Sequence, residues 1–464
     1  MKPDAPASPA PGGAAPRRRG LPRRFVTFFA TSLASRAVGI SCQLLQVPLV
    51  VATLGSEAFG LWMTLTSITN LMQFADLGLG IGLQNRLTEK FTRGEFDEAR
   101  AQFGSVFAFL ALVGLALGGL LTLVILSLNL PQLFHLRDPV TIAEAPVAAL
   151  ALGWVFCIGF PIGLAQRLAF ARHEGWMFNV AQALGSIAAL AIVAWGAHAH
   201  WHLGLLVVSA QGMLLLANAI LLAFQLVQLG WLPRLFAALH FGSVRELLGV
   251  GAYFSVQQIV STVMFSLPQV IISASLGAAA VTPYNLVQRL FNLFAIVQNA
   301  FLLPLWPAYA EARARGEFGW MRRALRHSVN ATLFGCIMPL MICACFAPQI
   351  IHLWVGNSNG GVLPDYLLVG VLCLLNSLTF LQQPCLYLLV AVSEVKYCAY
   401  YSAAGAIAGT ILMFALVHRF GVPGVVLGLL LGYVPFTLFG YFFETRRYLR
   451  RAAPPPEPQP VPAT

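Results

Sequence analysis

Apolar runs of about 20 residues or more recur along the whole of this chain, and no other feature narrows its fold as far. Each run is long enough to cross a hydrocarbon core of roughly 30 Å. Lipid offers no partner to a backbone N–H or C=O, so each run must satisfy its own hydrogen bonds as a helix. Charged residues are only 10% of the 464 and apolar residues 58%, against roughly 25% charged in a soluble domain, which leaves too little polar surface for a water-soluble fold.

The runs predict helices near 25–53, 59–84, 103–129, 145–166, 177–197, 203–229, 248–276, 283–310, 327–351, 364–392, 397–418 and 423–445. The expected fold is all-α and polytopic, with about twelve transmembrane helices. The expected organisation is a disordered basic segment (1–24), a six-helix bundle (25–229), a linker (230–247), a second six-helix bundle (248–447) and a Pro-rich tail (448–464). Arg17, Arg18, Arg19, Arg23 and Arg24 precede a run too long for a signal peptide, so no cleavable signal is expected. The eight Cys are scattered through apolar stretches without metal or redox spacing and read as packing residues.

Charge sets the orientation. With the N-terminus inside, 24 of the 28 Lys and Arg fall in cytoplasmic segments; only Arg137 and Arg419 fall outside, and Arg36 and Arg289 lie within helices. The asymmetry closes only with an even helix count and puts both termini in the cytoplasm. The net charge of +11 is thereby explained by orientation and contact with anionic lipid, and needs no nucleic acid. Trp176, Trp231 and Trp320 are expected at the inner interface, and Trp195, Trp201 and Trp354 at the outer one.

A shift of 222 residues aligns the two halves. Leu54-Gly55 falls on Leu276-Gly277, Asn70-Leu71 on Asn292-Leu293, and Arg93-Gly94-Glu95-Phe96 on Arg315-Gly316-Glu317-Phe318. Apolar matches come cheaply in membrane sequences; a charged tetrapeptide at the same offset does not. Six helices per half make the repeats parallel, related by an axis along the membrane normal, with a site expected between them.

Polar residues then form stripes. Helix 2 carries Thr66, Thr69, Asn70, Gln73 and Asp76 within an arc of about 120°. Its repeat partner, helix 8, carries Asn285, Gln288, Arg289, Asn292 and Asn299 within about 100°. Helix 1 has Ser32, Arg36, Gln43 and Gln46 on one face, and helix 7 has Tyr253, Gln257 and Ser261. Stripes of this kind line a wet cavity or glue helices together; their richness in Asn and Gln favours the cavity. Arg36, Asp76 and Arg289 are the deep charges, each costing about 2.5–3.5 kcal/mol at a helix centre on insertion scales. Arg36 and Asp76 share a depth and either pair structurally or serve a ligand. His198, His200 and His202 alternate in an outer loop, where coincidence outweighs metal binding, and no metal or other cofactor is expected. Pro48 and Pro268 read as kinks or hinges near the outer ends of helices 1 and 7.

The stretch V-P-L-V-V-A-T-L-G-S-E-A-F-G-L-W from residue 47, and F-A-D-L-G-L-G-I-G-L-Q-N-R-L from residue 74, resemble the polysaccharide-biosynthesis flippases. These share a superfamily with the multidrug and toxin extruders and the lipid II flippase. The second half agrees, with S-L-G ending helix 7, R-G-E-F, and G-V-P-G-V-V-L-G opening the last helix. The resemblance implies two six-helix bundles in a V, with helices 1, 2, 7 and 8 lining the cavity. It implies transfer of an undecaprenyl-pyrophosphate-linked oligosaccharide across a bacterial inner membrane, with Arg36 and Arg289 toward the pyrophosphate and Asp76 as a carrier of coupling protons. The expected partners are the lipid-linked glycan and membrane lipids, with glycan polymerase machinery a candidate associate. Two other functions fit less well. A multidrug antiporter would favour an acid-rich, aromatic cavity, and a membrane-embedded polymerase or ligase would need a larger outer loop and a carboxylate pair. No P-loop motif is present, so ATP does not drive transport directly.

Overall fold

The computed structural model of the chain describes residues 23–72, 79–234, 260, 263–356, 364–392 and 394–451. Every regular element among them is helical. The first, Arg23–Leu71, is two helices joined at Gly55, whose φ of 80° suits glycine: α1 (23–54) and α2 (56–71). There follow α3 (Leu79–Arg93), α4 (Phe96–Ser127), α5 (Pro139–Ile162) with its continuation α6 (Leu164–Ala171), α7 (Gly175–His198) and α8 (Leu203–Gln228). The second half holds α9 (Val263–Leu276), α10 (Val281–Leu302), α11 (Leu305–Ala314), α12 (Phe318–Cys345), α13 (Ala347–Val355) and α14 (Tyr366–Ala391). Val395–Gly432 again breaks at a glycine, Gly421 with φ 62°, into α15 (395–420) and α16 (422–432); α17 (Val434–Arg451) ends the described chain.

Eight helical stretches are long and apolar enough to cross a membrane, and two of them contain two crossings each, parted at Gly55 and Gly421. With α9 and α10 the described crossings reach the twelve expected from sequence. Stretches read as single helices are broken: 283–310 stops at Leu302 and restarts at Leu305 as α11, across Pro304. The stretch 327–351, read as one helix, stops at Cys345 and restarts as α13, because Pro348 in the first turn of α13 disfavours helix at the residue before it.

The repeat is visible in backbone detail. Gly55 and Gly277 both have positive φ, as do Gly94 and Gly316 at 77° and 72°. Around the two R-G-E-F turns, Gly94 N–H donates to Phe91 O at 3.3 Å and Gly316 N–H to Arg313 O at 3.1 Å. Glu95 N–H reaches Lys90 O at 3.0 Å and Glu317 N–H reaches Ala312 O at 2.9 Å. The ion pairs repeat as well, Arg93–Glu89 at 2.6 Å and Arg315–Glu311 at 2.5 Å.

The halves form a V whose apex is the end carrying the glycine bends. There a reciprocal contact joins the repeats: Thr282 Oγ1 donates to Ser56 O at 2.6 Å, and Gly60 lies against Ala278. The 222-residue shift carries Ser56 onto Ala278 and Gly60 onto Thr282, so each contact is the other's image and the pseudo-axis passes between them. A Cβ on Gly60 would fall 1.9 Å from Ala278 O, so only glycine permits this approach. Ala278 N–H also donates to Phe134 O in the loop between α4 and α5, at 3.1 Å.

The Trp residues divide differently from expectation. Trp195 and Trp176 are exposed as an interfacial belt requires, but Trp231 is buried against Phe91 and Phe103 at 5.9 Å, in an aromatic cluster that seals the R-G-E-F end of the first bundle. In the outer loop His202 Nδ1 pairs with Glu144 Oε1 at 2.6 Å, and Glu144 Oε2 accepts Leu203 N–H at 2.5 Å. That histidine completes a helix start. Among the described residues no cluster of His, Cys, Asp and Glu could hold a metal ion.

Candidate functional site

The two halves meet through α1 and α2 of the first and α9 and α10 of the second; Tyr253, Gln257 and Ser261, the helix 7 set, lie outside the described residues. Pro48 shapes α1. A proline has no N–H, so it leaves the carbonyl four residues earlier without its helical partner. That carbonyl, Leu44 O, accepts the indole N–H of Trp354 at 3.0 Å, from α13 in the other half. The adjacent Gln43 O accepts Arg289 Nη1 from α10 at 3.2 Å. Thus the turn opened by Pro48 supplies acceptors that tie the two halves together near the apex.

Arg289 makes only neutral contacts. Besides Gln43 O, its Nη2 lies 3.2 Å from Met63 Sδ on α2, and its guanidinium sits 5.9 Å from the centroid of Phe59. No carboxylate pairs with it among the described residues. Beside it, Ser67 Oγ donates to Gln269 Oε1 at 2.6 Å, and Asn285 Nδ2 reaches the same oxygen at 3.3 Å. This bond set links α2, α9 and α10 across the halves.

The helix 8 stripe therefore serves two ends. Asn285 is buried in that link, and Gln288 Oε1 takes Asn376 Nδ2 at 3.5 Å inside the second bundle. Asn292 and Asn299, seven residues apart and so on one face, are exposed. Asn299 Oδ1 accepts the Tyr387 hydroxyl at 2.8 Å, and Tyr387 packs edge-on against Trp306 at 6.2 Å. Arg36, exposed on α1 of the opposite half, lies within electrostatic reach of Tyr387 and has no carboxylate partner among the described residues.

The helix 2 stripe behaves differently. Thr66, Thr69 and Asn70 line a cavity of about 420 Å³ whose walls come from α2, α3, α4, α5, α6 and α8, all in the first bundle. Gln73, Asp76 and Gln257 lie outside the described residues, and with them the expected Arg36–Asp76 pair. Sequence reasoning passed over Tyr387, Trp306 and Gln269, and also Gln166, Gln211 and Asn218 in the cavity wall. Gln211 and Asn218 did leave a signal: two amides seven apart share a face of an otherwise apolar helix.

The polysaccharide biosynthesis protein family matches residues 30–312. A protein of Salmonella typhi assigned as an O-antigen transporter is 24% identical over 431 residues, covering 87% of this chain and 96% of that one. Among solved structures, the inward-facing conformation of a multidrug resistance MATE family transporter of the MOP superfamily has a TM-score of 0.75 at 15% identity, covering 91% of this chain and 98% of that one. The lipid II flippase MurJ, in an inward closed conformation, has a TM-score of 0.68 at 13% identity, covering 92% and 90%. The two structures share the fold with this chain.

Proposed function

The chain belongs to the polysaccharide biosynthesis protein family, and from that membership we propose that it moves an undecaprenyl-pyrophosphate-linked oligosaccharide from the cytoplasmic to the periplasmic leaflet of the bacterial inner membrane. The observation that carries this reading is the pair of guanidiniums on the inter-half space, Arg36 and Arg289, neither with a carboxylate partner among the described residues. Such charges are retained in a membrane where an anion or water meets them. A pyrophosphate matches the planar fork of Arg, which forms two parallel bonds.

The charge asymmetry makes the R-G-E-F end cytoplasmic, so the V faces the cytoplasm with its periplasmic apex closed. A headgroup entering the mouth meets Arg36 first. Deeper in, Arg289 is held by a backbone carbonyl, a thioether and a ring face. A phosphate offers the guanidinium two parallel bonds and a full negative charge, where Gln43 O offers one bond and a dipole, so the headgroup takes Arg289 away from Gln43. That removes one tie across the apex. A typical hydrogen bond contributes a net of about 0.5–1.5 kcal/mol, enough to shift a near-balanced pair of states several-fold toward apex opening. Substrate binding thereby favours the outward state in which the substrate leaves.

The test is Arg36→Ala, assayed for lipid-linked glycan in each leaflet. Protein level stays near wild type and precursor accumulates on the cytoplasmic side, with export reduced about tenfold or more, as expected for one lost charge-assisted contact of roughly 1.5–3 kcal/mol. Normal export by this variant would remove Arg36 from the headgroup site.

A further inference from the structure

The cavity inside the first bundle is separate from the two arginines, and its lining has a different chemistry. Its polar groups are hydroxyls and amides: Thr66, Asn70, Gln166, Gln211 and Asn218, with Arg167 at one side and the rings of Phe156 and Phe160 among the apolar walls. Among the described lining residues there is no carboxylate.

Three of the amides are under-used. Gln166 and Gln211 are half-buried in an apolar bundle, and their side-chain amides make no hydrogen bond among the described residues. Asn218 donates its Nδ2 to Leu214 O at 3.0 Å, which fixes the amide, and its Oδ1 is then buried with no donor. A buried acceptor left unpaired, as Asn218 Oδ1 is among the described residues, costs roughly 1–3 kcal/mol. The missing partner of Asn218 Oδ1 must donate, which an anion cannot do. Gln166 and Gln211 each present both a donor and an acceptor to the cavity. A hydroxyl both donates and accepts, and a ring face of Phe156 or Phe160 suits the C–H face of a sugar.

The repeat explains why the space exists. Thr66 falls on Gln288 under the 222-residue shift. In the second bundle the longer Gln288 turns inward to Asn376, whereas in the first bundle the short Thr66 leaves room. A volume of about 420 Å³ lies inside the roughly 300–1,000 Å³ typical of ligand pockets and far above the roughly 30 Å³ share of one water. The cavity also adjoins the headgroup site. Met63, which touches Arg289, and Thr66, in the cavity wall, are three residues apart on α2, a rise of about 4.5 Å.

We infer that this cavity is a glycan subsite, which takes a neutral, hydroxyl-rich sugar unit of the substrate while the arginines take its pyrophosphate; the inference rests on the flippase reading above. Sugar selectivity then resides in Gln166, Gln211 and Asn218, and tightness of headgroup binding in Arg36 and Arg289.

The experiment uses the full chain in lipid nanodiscs and two probes: undecaprenyl pyrophosphate alone, and undecaprenyl pyrophosphate bearing one N-acetylhexosamine. Wild type should hold the sugar-bearing lipid about tenfold more tightly than the bare one, which corresponds to about 1.4 kcal/mol. Gln211→Leu and, separately, Gln166→Leu should bring that ratio to within about twofold while leaving affinity for the bare lipid unchanged, since each replaces an unpaired amide in an apolar wall. The two residues sit on different helices, so failure of one variant to fold leaves the other to decide. Equal binding of the two lipids by wild type, or a ratio that survives both substitutions, would show a cavity that holds only water and overturn the inference. Should wild type bind neither lipid, the flippase reading itself fails and takes the subsite with it.

Discussion

Arg289 is the residue on which the proposed gate and the proposed ligand site meet. Its contacts to Gln43 O and Met63 Sδ join the two halves, and the same guanidinium is the one we propose for the headgroup. Arg289→Ala should leave protein level nearly unchanged and abolish surface glycan, with precursor held on the cytoplasmic side. Arg289→Lys should restore part of the activity at most, because a point charge cannot form the two parallel bonds of a guanidinium. Normal glycan export by the alanine variant would exclude Arg289 from the transport step. Gly60 poses a steric question instead. Any side chain there collides with Ala278 O, so Gly60→Val should wedge the apex open. A cysteine at Ser56 should then react several-fold faster with an impermeant thiol reagent added outside; an unchanged rate would mean that α2 and residue 278 separate without disturbing the seal.

At the scale of the element, Pro48 and Trp354 form one device across two helices. Proline in a helix interior is disfavoured by about 3 kcal/mol, and here the carbonyl it frees binds the other half. Pro48→Ala returns an N–H to Leu44 O and competes with Trp354. The variant should melt at a higher temperature yet transport several-fold more slowly; equal turnover would make the proline merely tolerated. The elements themselves were legible, because a lipid solvent forces every long apolar run to be a helix, and the glycine-flanked repeat exposed both halves. The faces were legible only in part. Periodicity marks the stripe on α10 but not which amide turns inward, as Gln288 does toward Asn376, and which stays exposed, as Asn292 does. Tyr387 and Trp306 read as ordinary aromatics of apolar runs, since their role depends on α10 and α14 meeting in three dimensions. Gln269 is a lone amide beside Pro268 in an apolar run, with no second amide or charge within two helical turns to mark its face.

For the whole molecule, the orientation proposed from charge can be checked apart from function. A periplasmic reporter fused after Asp365 should be active and one fused after Gly94 inactive, because the R-G-E-F ends carry the Lys and Arg that stay in the cytoplasm. The reverse pattern would turn the V to face the periplasm. Alternating access then requires the two halves to rock about the reciprocal contact of Ser56, Gly60, Ala278 and Thr282. The most direct measurement is translocation by the purified chain in sealed proteoliposomes. Undecaprenyl pyrophosphate bearing a labelled sugar is placed in both leaflets, and the outer-leaflet pool is oxidised by an impermeant reagent. With the protein present, label initially shielded in the inner leaflet should become accessible. Arg36→Ala and Arg289→Ala should slow this to the rate of protein-free vesicles. Label that stays shielded with wild-type protein, with or without an imposed proton or sodium gradient, would contradict transport of this lipid class.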